Sequence, residues 1–566
     1  MILEQGLCNG TAVTISMFDI KASYSALVKA CGIAPRGKFH DPKIACWILD
    51  PGAKEKNLHR MVTNYLPTEV HMLEGIGGGI GYSSLGLSPQ NPGPARYRAT
   101  TEAVLTLHLM EYFMQCLHKE KLIKAFESVE MPSVITLARM ELNGFGSEKE
   151  CETQKDILTA KLTTLEEQAY DLAGHPFSLT STEDIAQVLF IEIQLPLNGD
   201  PSSVGQMRTL GTRRGGNNRK GRQLAQFSTS KEILEKLKIL HPLPAIILEW
   251  RRISSALSKV VFPLQKEKIF SKKMNMHRIF GECQLHTATG RVSMSAPNIQ
   301  NTPKDFEIAL PGGTFIAADY SQLELRMIAH LSKDPKLISV LNNDGDVFKL
   351  ITAQWKNISP EEVTSEQRQQ AKQVCYGMIY GIRPNALGKQ LDVDENDAAV
   401  FIETFKAKYP GMRSYLRDTE AFCRDNGYVE TILGRRRYLP AIKDTNPHAR
   451  AHAERQAVNT TVQGSAADLV KIAMNNIDKK LSEVFPDTLL THSHQLDDNI
   501  RSRPKGSLQL VPSGGFLVLQ LHDELIYEVS QKDMMIVAQI IKYEMENAMK
   551  LSVRFPVKKK IYVFLI

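Results

Sequence analysis

Arg368, Lys372, Tyr376 and Tyr380 recur every four positions in RQQAKQVCYGMIYG, two cations followed by two phenols. On an α-helix each step of four overshoots one turn by about 40°, so these side chains would form a slowly drifting stripe about 18 Å long. Both cations lie towards the N-terminal end, where unpaired N–H groups and the helix dipole already favour an anion. The stripe therefore reads from a phosphate grip to a flat stacking surface, about the length of a nucleoside triphosphate. The alternative is an ordinary solvated basic face with two buried tyrosines. A second set is acidic. GTFIAADYSQLELR brings Asp319 to the end of an apolar run, followed by Tyr320, Gln322 and Glu324. LVLQLHDELIYEV sets His522, Asp523 and Glu524 between two β-favouring runs. Either feature alone is more often a solvated turn than a site. Together with an anion-binding helix, two carboxylates could hold two Mg²⁺ about 4 Å apart, one activating an attacking oxygen and the other stabilising the leaving one.

The elements that must position these residues are visible in outline. Thr364, with Gln367 three residues later, predicts a capping box at the start of the cationic helix, and no proline interrupts it before Pro384. The two acidic segments read as a strand leading into a turn and as a hairpin whose tip holds acids. In HAERQAVNTTVQGSAAD, residues 452–468, Arg455, Asn459 and Gln463 share one helix face, as a ligand-contacting row or as a structural polar network. Residues 1–120 alternate short apolar and helical runs, which suggests an α/β unit, and helical periodicity dominates from about 121 to 275. The segment 201–226 carries six Lys or Arg, five Gly and no acid, a composition that cannot bury a core and suits phosphate contact. Residues 491–515 read as a loop insertion before the last hairpin.

Composition sets the bounds. The 566 residues are 43% hydrophobic and 23% charged, enough for two to four domains, and the net charge of +7 permits a polyanionic partner without demanding one. The eight cysteines are scattered with no CxxC pair, so neither a disulfide framework nor a zinc finger is indicated. A basic leader followed by an apolar core and a run of about 18 apolar residues are both missing from the sequence, so no secreted or membrane protein is expected.

The order DYSQLELR, RQQAKQVCYGMIYG, LHDE resembles the first palm motif, the fingers helix and the second palm motif of family A DNA polymerases. TATGRVSMSAPNIQN, GRRRYLP and HAERQAVNTTVQGSAAD extend the resemblance over most of the chain. Within the family, RQQAKQVCYG, HPLPAIILEWRRI and the loop before LQLHDE look most like a vertebrate repair branch. The resemblance implies a mixed α/β, right-hand polymerase fold of palm, fingers and thumb, preceded by a partial, inactive 3′-5′ exonuclease-like domain. It implies that part at 1–120, a thumb at 121–280 with the basic insertion 201–226, palm at 281–335, fingers at 336–445, and the second palm part at 446–566 with an insertion at about 485–515. It further implies two Mg²⁺, with Mn²⁺ as a substitute, on Asp319, Asp523 and the Tyr320 carbonyl. Arg368 and Lys372 would grip the triphosphate, Lys372 protonating the pyrophosphate. Glu324, with Gln322 beside it, would sit under the sugar and exclude a 2′-hydroxyl; Tyr376 would face the 3′ position and Tyr380 would stack by a base. Arg291, Asn298, Gln300, Arg455, Asn459, Gln463 and His522 match primer–template contacts. The implied partners are a DNA primer–template, deoxynucleoside triphosphates and, in a longer product, a helicase module. The implied setting is nuclear repair by end joining and translesion synthesis.

Departures from the family's pattern carry their own expectations. Phe348 stands in GDVFKL where a phosphate-contacting His is frequent, which throws triphosphate binding onto Arg368 and Lys372. Tyr24 and Thr101 stand where proofreading relatives carry acids, and the first acidic motif is absent, so no nuclease metal pair is expected. KKKIYVFLI ends on apolar residues where relatives continue with a Gly and Trp segment, as in a truncated or variant product. The rival readings are a neighbouring repair branch, a catalytically silent DNA-binding relative, a single-subunit RNA polymerase, which Glu324 disfavours, and a proofreading nuclease.

Overall fold

A computed structural model describes residues 14–52, 57–73, 92–146, 150–196, 228–258, 262–271, 276–295, 300, 313–391, 393–486, 513–521 and 523–562. They divide into two compact units, one made of 1–145, 281–295 and 309–566, the other of 146–280 and 296–308.

In the first unit, helix α1 (Pro42–Leu49) begins where Asp41 accepts from the Lys43 amide, with proline at its first position, and it buries Trp47 completely. Helix α2 (Met131–Asn143) is buried nearly all round and ends at Gly144, whose φ of +62° only glycine adopts without strain. The centre is a four-stranded antiparallel sheet. Its first strand, β1 (Gly313–Tyr320), leads through Gln322 at φ 52° into helix α3 (Leu323–Ser332). Helix α4 (Val347–Lys356), capped by Asp346, and helix α5 (Ser365–Ile379) follow. The long helix α6 (Pro447–Val484) then leads towards the hairpin β2 (Gly515–Leu521) and β3 (Glu524–Ser530), helix α7 (Met534–Glu546) and the last strand β4 (Val557–Tyr562).

The strand order is β2-β3-β1-β4, so the strand carrying Asp319 lies inside the sheet with partners on both edges. Its run GTFIAADY is buried almost throughout, which explains a continuous apolar sequence where a half-exposed strand would alternate. Helix α7 covers part of the sheet through Val537, Ala538, Ile541 and Met545, a helical stripe, and the Tyr320 hydroxyl donates to the Met545 carbonyl at 2.7 Å. The KKKIY segment pairs with β1 along its length, Val557 opposite Tyr320.

The second unit is helical in its core. Helices spanning Glu150–Ala173, Lys231–Leu237 and Leu243–Ala256 enclose Leu165, Ile185, Phe190, Leu234 and Ile247, and the Trp250 indole donates to Glu166 at 2.9 Å. The unit also holds a hairpin, Lys268–Ser271 with Met276–Ile279. The basic segment 201–226 and most of the insertion at 485–515 fall outside the described residues. Among the described residues no helix is long and apolar enough to cross a membrane.

Candidate active site

Backbone pairing brings the two sequence-predicted aspartates together. Glu524 stands opposite Asp319 in the ladder, and the Tyr320 amide donates to the Asp523 carbonyl at 3.2 Å, tying the hairpin tip to the end of β1. Both aspartate side chains are half-buried. Glu324 falls on the first turn of α3, one residue inside the helix where the sequence suggested the preceding turn, and is 4% exposed. One of its carboxylate oxygens receives the Arg291 guanidinium and the other receives the Tyr380 hydroxyl at 2.5 Å. Arg291 also lies 3.9 Å from the Asp523 carboxylate.

Three acids share this corner with one arginine, and the titration of Asp523 reflects that. Burial raises its carboxyl to about 6; Arg291 pulls it down, while Glu324 and Asp319 push it up. Tyr376 is raised to about 12, first by burial and then by the charges of Glu324, Asp523 and Asp319. The end of α5 therefore lies within the field of the two strand-end acids.

Helix α5 starts with the predicted capping box: Thr364 Oγ1 receives the Gln367 amide, and the Gln367 side chain receives the Thr364 amide. Arg368, Lys372 and Tyr376 lie along it, whereas Tyr380 sits just beyond its last residue, Ile379, with φ −88° and ψ 2°. The two phenol rings stack at 6.4 Å and 17°. Tyr380 is 40% exposed, so the buried-tyrosine alternative does not describe it. Phe348 closes the row: it lies 6.1 Å from the Tyr376 ring and under the Arg368 guanidinium at 5.6 Å. The Arg368 Nε also donates to Asp346 at 2.8 Å. Burial works against the charged form of Asp346, but the Lys349 and Phe348 amides and Arg368 outweigh it and hold its pKa low.

A cavity of about 670 Å³ opens beside this row, lined by Lys372, Tyr376, Tyr380, Arg383, His448 and Arg455 among others. Arg455 reaches it because Gly381, at φ +62°, leaves room; a Cβ there would come within 2.7 Å of the Arg455 stem. Asn459 and Gln463 follow Arg455 on α6, all three half-buried, and the Gln463 side chain bonds the Tyr380 hydroxyl. Gln322 forms no side-chain cap on α3. Gln300 belongs to the second unit. Asn298 and His522 lie outside the described residues. The sequence reading missed Asp346, Arg383 and His448. A helix-capping Asp just before the Phe348 helix was the available signal for the first of these.

Residues 148–562 match the DNA polymerase family A profile. The chain belongs to DNA polymerase family A. Within that family it is 49% identical to mouse DNA polymerase theta over 95% of this chain and 24% of the mouse protein. It is 33% identical to DNA polymerase theta of Drosophila melanogaster over 98% of this chain and 26% of the fly protein. DNA polymerase I of Bacillus subtilis is 30% identical over 95% of this chain and 56% of that enzyme. The chain thus spans about a quarter of the theta relatives and about half of the bacterial one. A solved structure, the POL domain of Pol1 from M. smegmatis in complex with DNA primer-template and dNTP, matches with a TM-score of 0.77 and 26% identity, covering 99% of this chain and 87% of that one.

Proposed function

We propose that this chain is a template-directed DNA polymerase that extends a DNA primer from deoxynucleoside triphosphates. The observation that carries the reading is the meeting of the Asp319 strand end with the Asp523 hairpin tip, where Glu524 stands opposite Asp319 and the Tyr320 amide donates to the Asp523 carbonyl, with Lys372 on the cavity wall and family A membership behind it.

The donor set fits divalent cations. Two half-buried carboxylates, one at a strand end and one at the adjoining hairpin tip, repel each other, and added positive charge relieves that repulsion. Among the described residues no three His, Cys, Asp or Glu side chains are grouped to hold a metal by themselves. Mg²⁺ commonly takes one or two carboxylates and fills its shell with water and substrate phosphates, so Asp319, Asp523 and the Tyr320 carbonyl suffice as protein ligands. Bound there, two such ions would supply activation of the primer hydroxyl and neutralisation of the leaving pyrophosphate.

The chain's own groups do the rest. Lys372, exposed on the cavity wall, holds the triphosphate and a proton for the departing pyrophosphate. Arg368, braced by Asp346 and Phe348, adds a fixed positive charge and compensates for the missing phosphate-contacting histidine. Glu324, pinned from both sides, excludes a sugar 2′-hydroxyl, with Gln322 next to it. Tyr376 faces the sugar, and the exposed ring of Tyr380 stacks by a base. Arg291, Arg455, Asn459 and Gln463 line the primer–template, joined by Asn298, Gln300 and His522. The thumb is assigned to 121–280 and the fingers to 336–445. Similarity to the theta relatives supports a nuclear repair role in joining and extending poorly paired ends and copying past lesions. Residues 1–120 are a partial exonuclease-like scaffold without proofreading, since Tyr24 is buried and bonded to Arg139 at 3.2 Å and Thr101 bonds its own helix.

Primer extension with Mg²⁺ tests the reading. Wild type should extend a paired primer, and Asp319→Asn or Asp523→Asn should abolish addition while leaving duplex binding nearly intact, because phosphate contacts hold the DNA. Parallel loss of binding and activity would overturn the metal assignment.

A further inference from the structure

The same unit buries a second ionic cluster that the proposed chemistry does not use. Glu130, Arg435, Asp468 and Lys471 are all between 0 and 4% exposed, two acids against two bases. Both Glu130 oxygens take the Lys471 ammonium, at 2.9 and 2.7 Å, and Arg435 pairs with Asp468 at 2.5 Å. The cluster is roofed by an indole. Trp47 has the Lys471 ammonium at 5.1 Å and the Arg435 guanidinium at 5.7 Å from its ring.

What distinguishes this cluster from an ordinary buried ion pair is where its spare donors go. The Trp47 Nε1–H donates to the Thr287 carbonyl at 3.3 Å, and Arg435 donates to the Thr289 carbonyl at 3.2 Å. The Trp47 ring also meets His286 edge-on at 5.9 Å. Gly290, at φ +81°, lies so close to Arg435 that a Cβ would come within 2.1 Å of the guanidinium, so the turn is moulded on it. The turn then closes on the next residue: the Thr287 hydroxyl donates to the Arg291 carbonyl at 2.7 Å. The 286–290 turn is thus held by the buried Trp47 and Arg435 as well as by its own bonds, and its outgoing residue is the arginine that meets Glu324 and Asp523.

We propose that Trp47 is a positioning residue for Arg291, so that the N-terminal part of the chain, read above as a scaffold without nuclease chemistry, takes part in setting the polymerase site. The indole fixes the turn by its hydrogen bond to Thr287 and its edge contact with His286, and its ring faces Arg435, which holds the turn through the Thr289 carbonyl. Arg291 then reaches Glu324 and Asp523 without its own backbone having to be ordered by substrate. A shift of about 1 Å in such a group costs up to about 100-fold in rate. The inference rests on the polymerase reading for its catalytic consequence and not for the clamp itself.

Trp47→Phe tests it, since phenylalanine keeps a ring over the cations and loses the Nε1 donor. Hydrogen exchange of the free protein reads the clamp without reference to activity. Amides of 287–292 should exchange faster in the variant, while those of Gly313–Tyr320 and Ser365–Ile379 keep their wild-type rates. Single-nucleotide addition reads the consequence. Trp47→Phe should lower kcat/KM about tenfold in the wild-type background and less than about twofold in an Arg291→Ala background, because a residue acting through Arg291 has nothing left to position there. Equal losses in both backgrounds, or faster exchange spread over the whole first unit, would overturn the proposal as a general folding effect. Unchanged exchange at 287–292 would overturn it directly. If the wild type adds no nucleotide, the polymerase reading falls while the exchange measurement still decides the clamp. Should Trp47→Phe not fold, Arg435→Lys, which retains the charge and loses the Nη2 donor to Thr289, carries the same comparison.

Discussion

The Tyr380 hydroxyl donates to the Glu324 carboxylate at 2.5 Å across 56 positions of sequence, joining the end of the cationic helix to the strand–helix turn that carries Asp319. Arg291 holds the other oxygen of the same carboxylate. Glu324 is thereby held from both sides, at the place where the proposed function puts the incoming sugar.

Removing the phenol hydroxyl should loosen that hold. A hydrogen bond to a charged group contributes about 1.5–3 kcal/mol, and the partial exposure of Tyr380 argues for the low end. Tyr380→Phe is expected to reduce exclusion of ribonucleotides about tenfold while deoxynucleotide addition changes little. Competing ribo- and deoxynucleotide additions on one primer measure this; an unchanged ratio would mean that Arg291 alone fixes Glu324.

The Asp523 carboxyl supplies a pH prediction. Its ordinary value is 3.8 and the fold raises it to about 6, so the folded state prefers the protonated acid. That preference stabilises fully below pH about 4 and is lost as pH rises through about 6. Asp523→Asn removes the titration, so in metal-free protein the variant should gain in Tm relative to wild type between pH about 4.5 and 7. Millimolar Mg²⁺ should restore wild type at pH about 7 and do little at pH about 5, where protons compete for the ligand. A difference in Tm that is flat with pH would remove Asp523 from the acidic corner.

Buried charge gives a stability prediction of opposite character. Lys471→Met leaves the Glu130 carboxylate 1% exposed with Arg435 at 3.4 Å as its remaining partner, and stranding a buried charge costs about 3–5 kcal/mol. Adding Glu130→Gln to that variant should recover most of the loss, since the pair together is close to neutral in energy. Denaturant unfolding of the three proteins checks it, and a double variant as unstable as the single one would show that the contact of the Lys471 ammonium with the Trp47 ring matters more than its pairing with Glu130.

How much of this was readable beforehand follows from sequence distance. The capping box of α5, the acids at the strand end and hairpin tip, and the Arg455–Gln463 row depend on partners within a few residues, and their spacing revealed them. Glu130 and Lys471 lie 341 positions apart, and nothing in EMPSVITLARM marks Glu130 as an ion-pair partner. Trp47 read as one more apolar residue in KIACWILD, because a buried indole and a buried leucine give the same helical pattern. Tyr380 was placed on the helix by its four-residue step, yet the helix stops at Ile379, and Gly381 at φ +62° turns the chain just after the phenol.

The last prediction concerns residues 201–226, whose six cations and five glycines lie outside the described structure. A primer held by only a few base pairs lacks the stacking that keeps a long primer seated, so added phosphate contacts must offset its tendency to leave. An unbroken cationic run can supply them, and counterion release makes such contacts steeply salt-dependent. Deleting 201–226 is therefore expected to impair extension of ends that overlap by a few bases at least about tenfold more than extension of a long, fully paired primer, with the gap widening from about 50 to 150 mM salt. Extension assays on the two substrates, run side by side across that range, measure it. Equal losses on both would make the segment a general affinity element or a folding requirement, and the proposed role in joining poorly paired ends would then rest on similarity to the theta relatives alone.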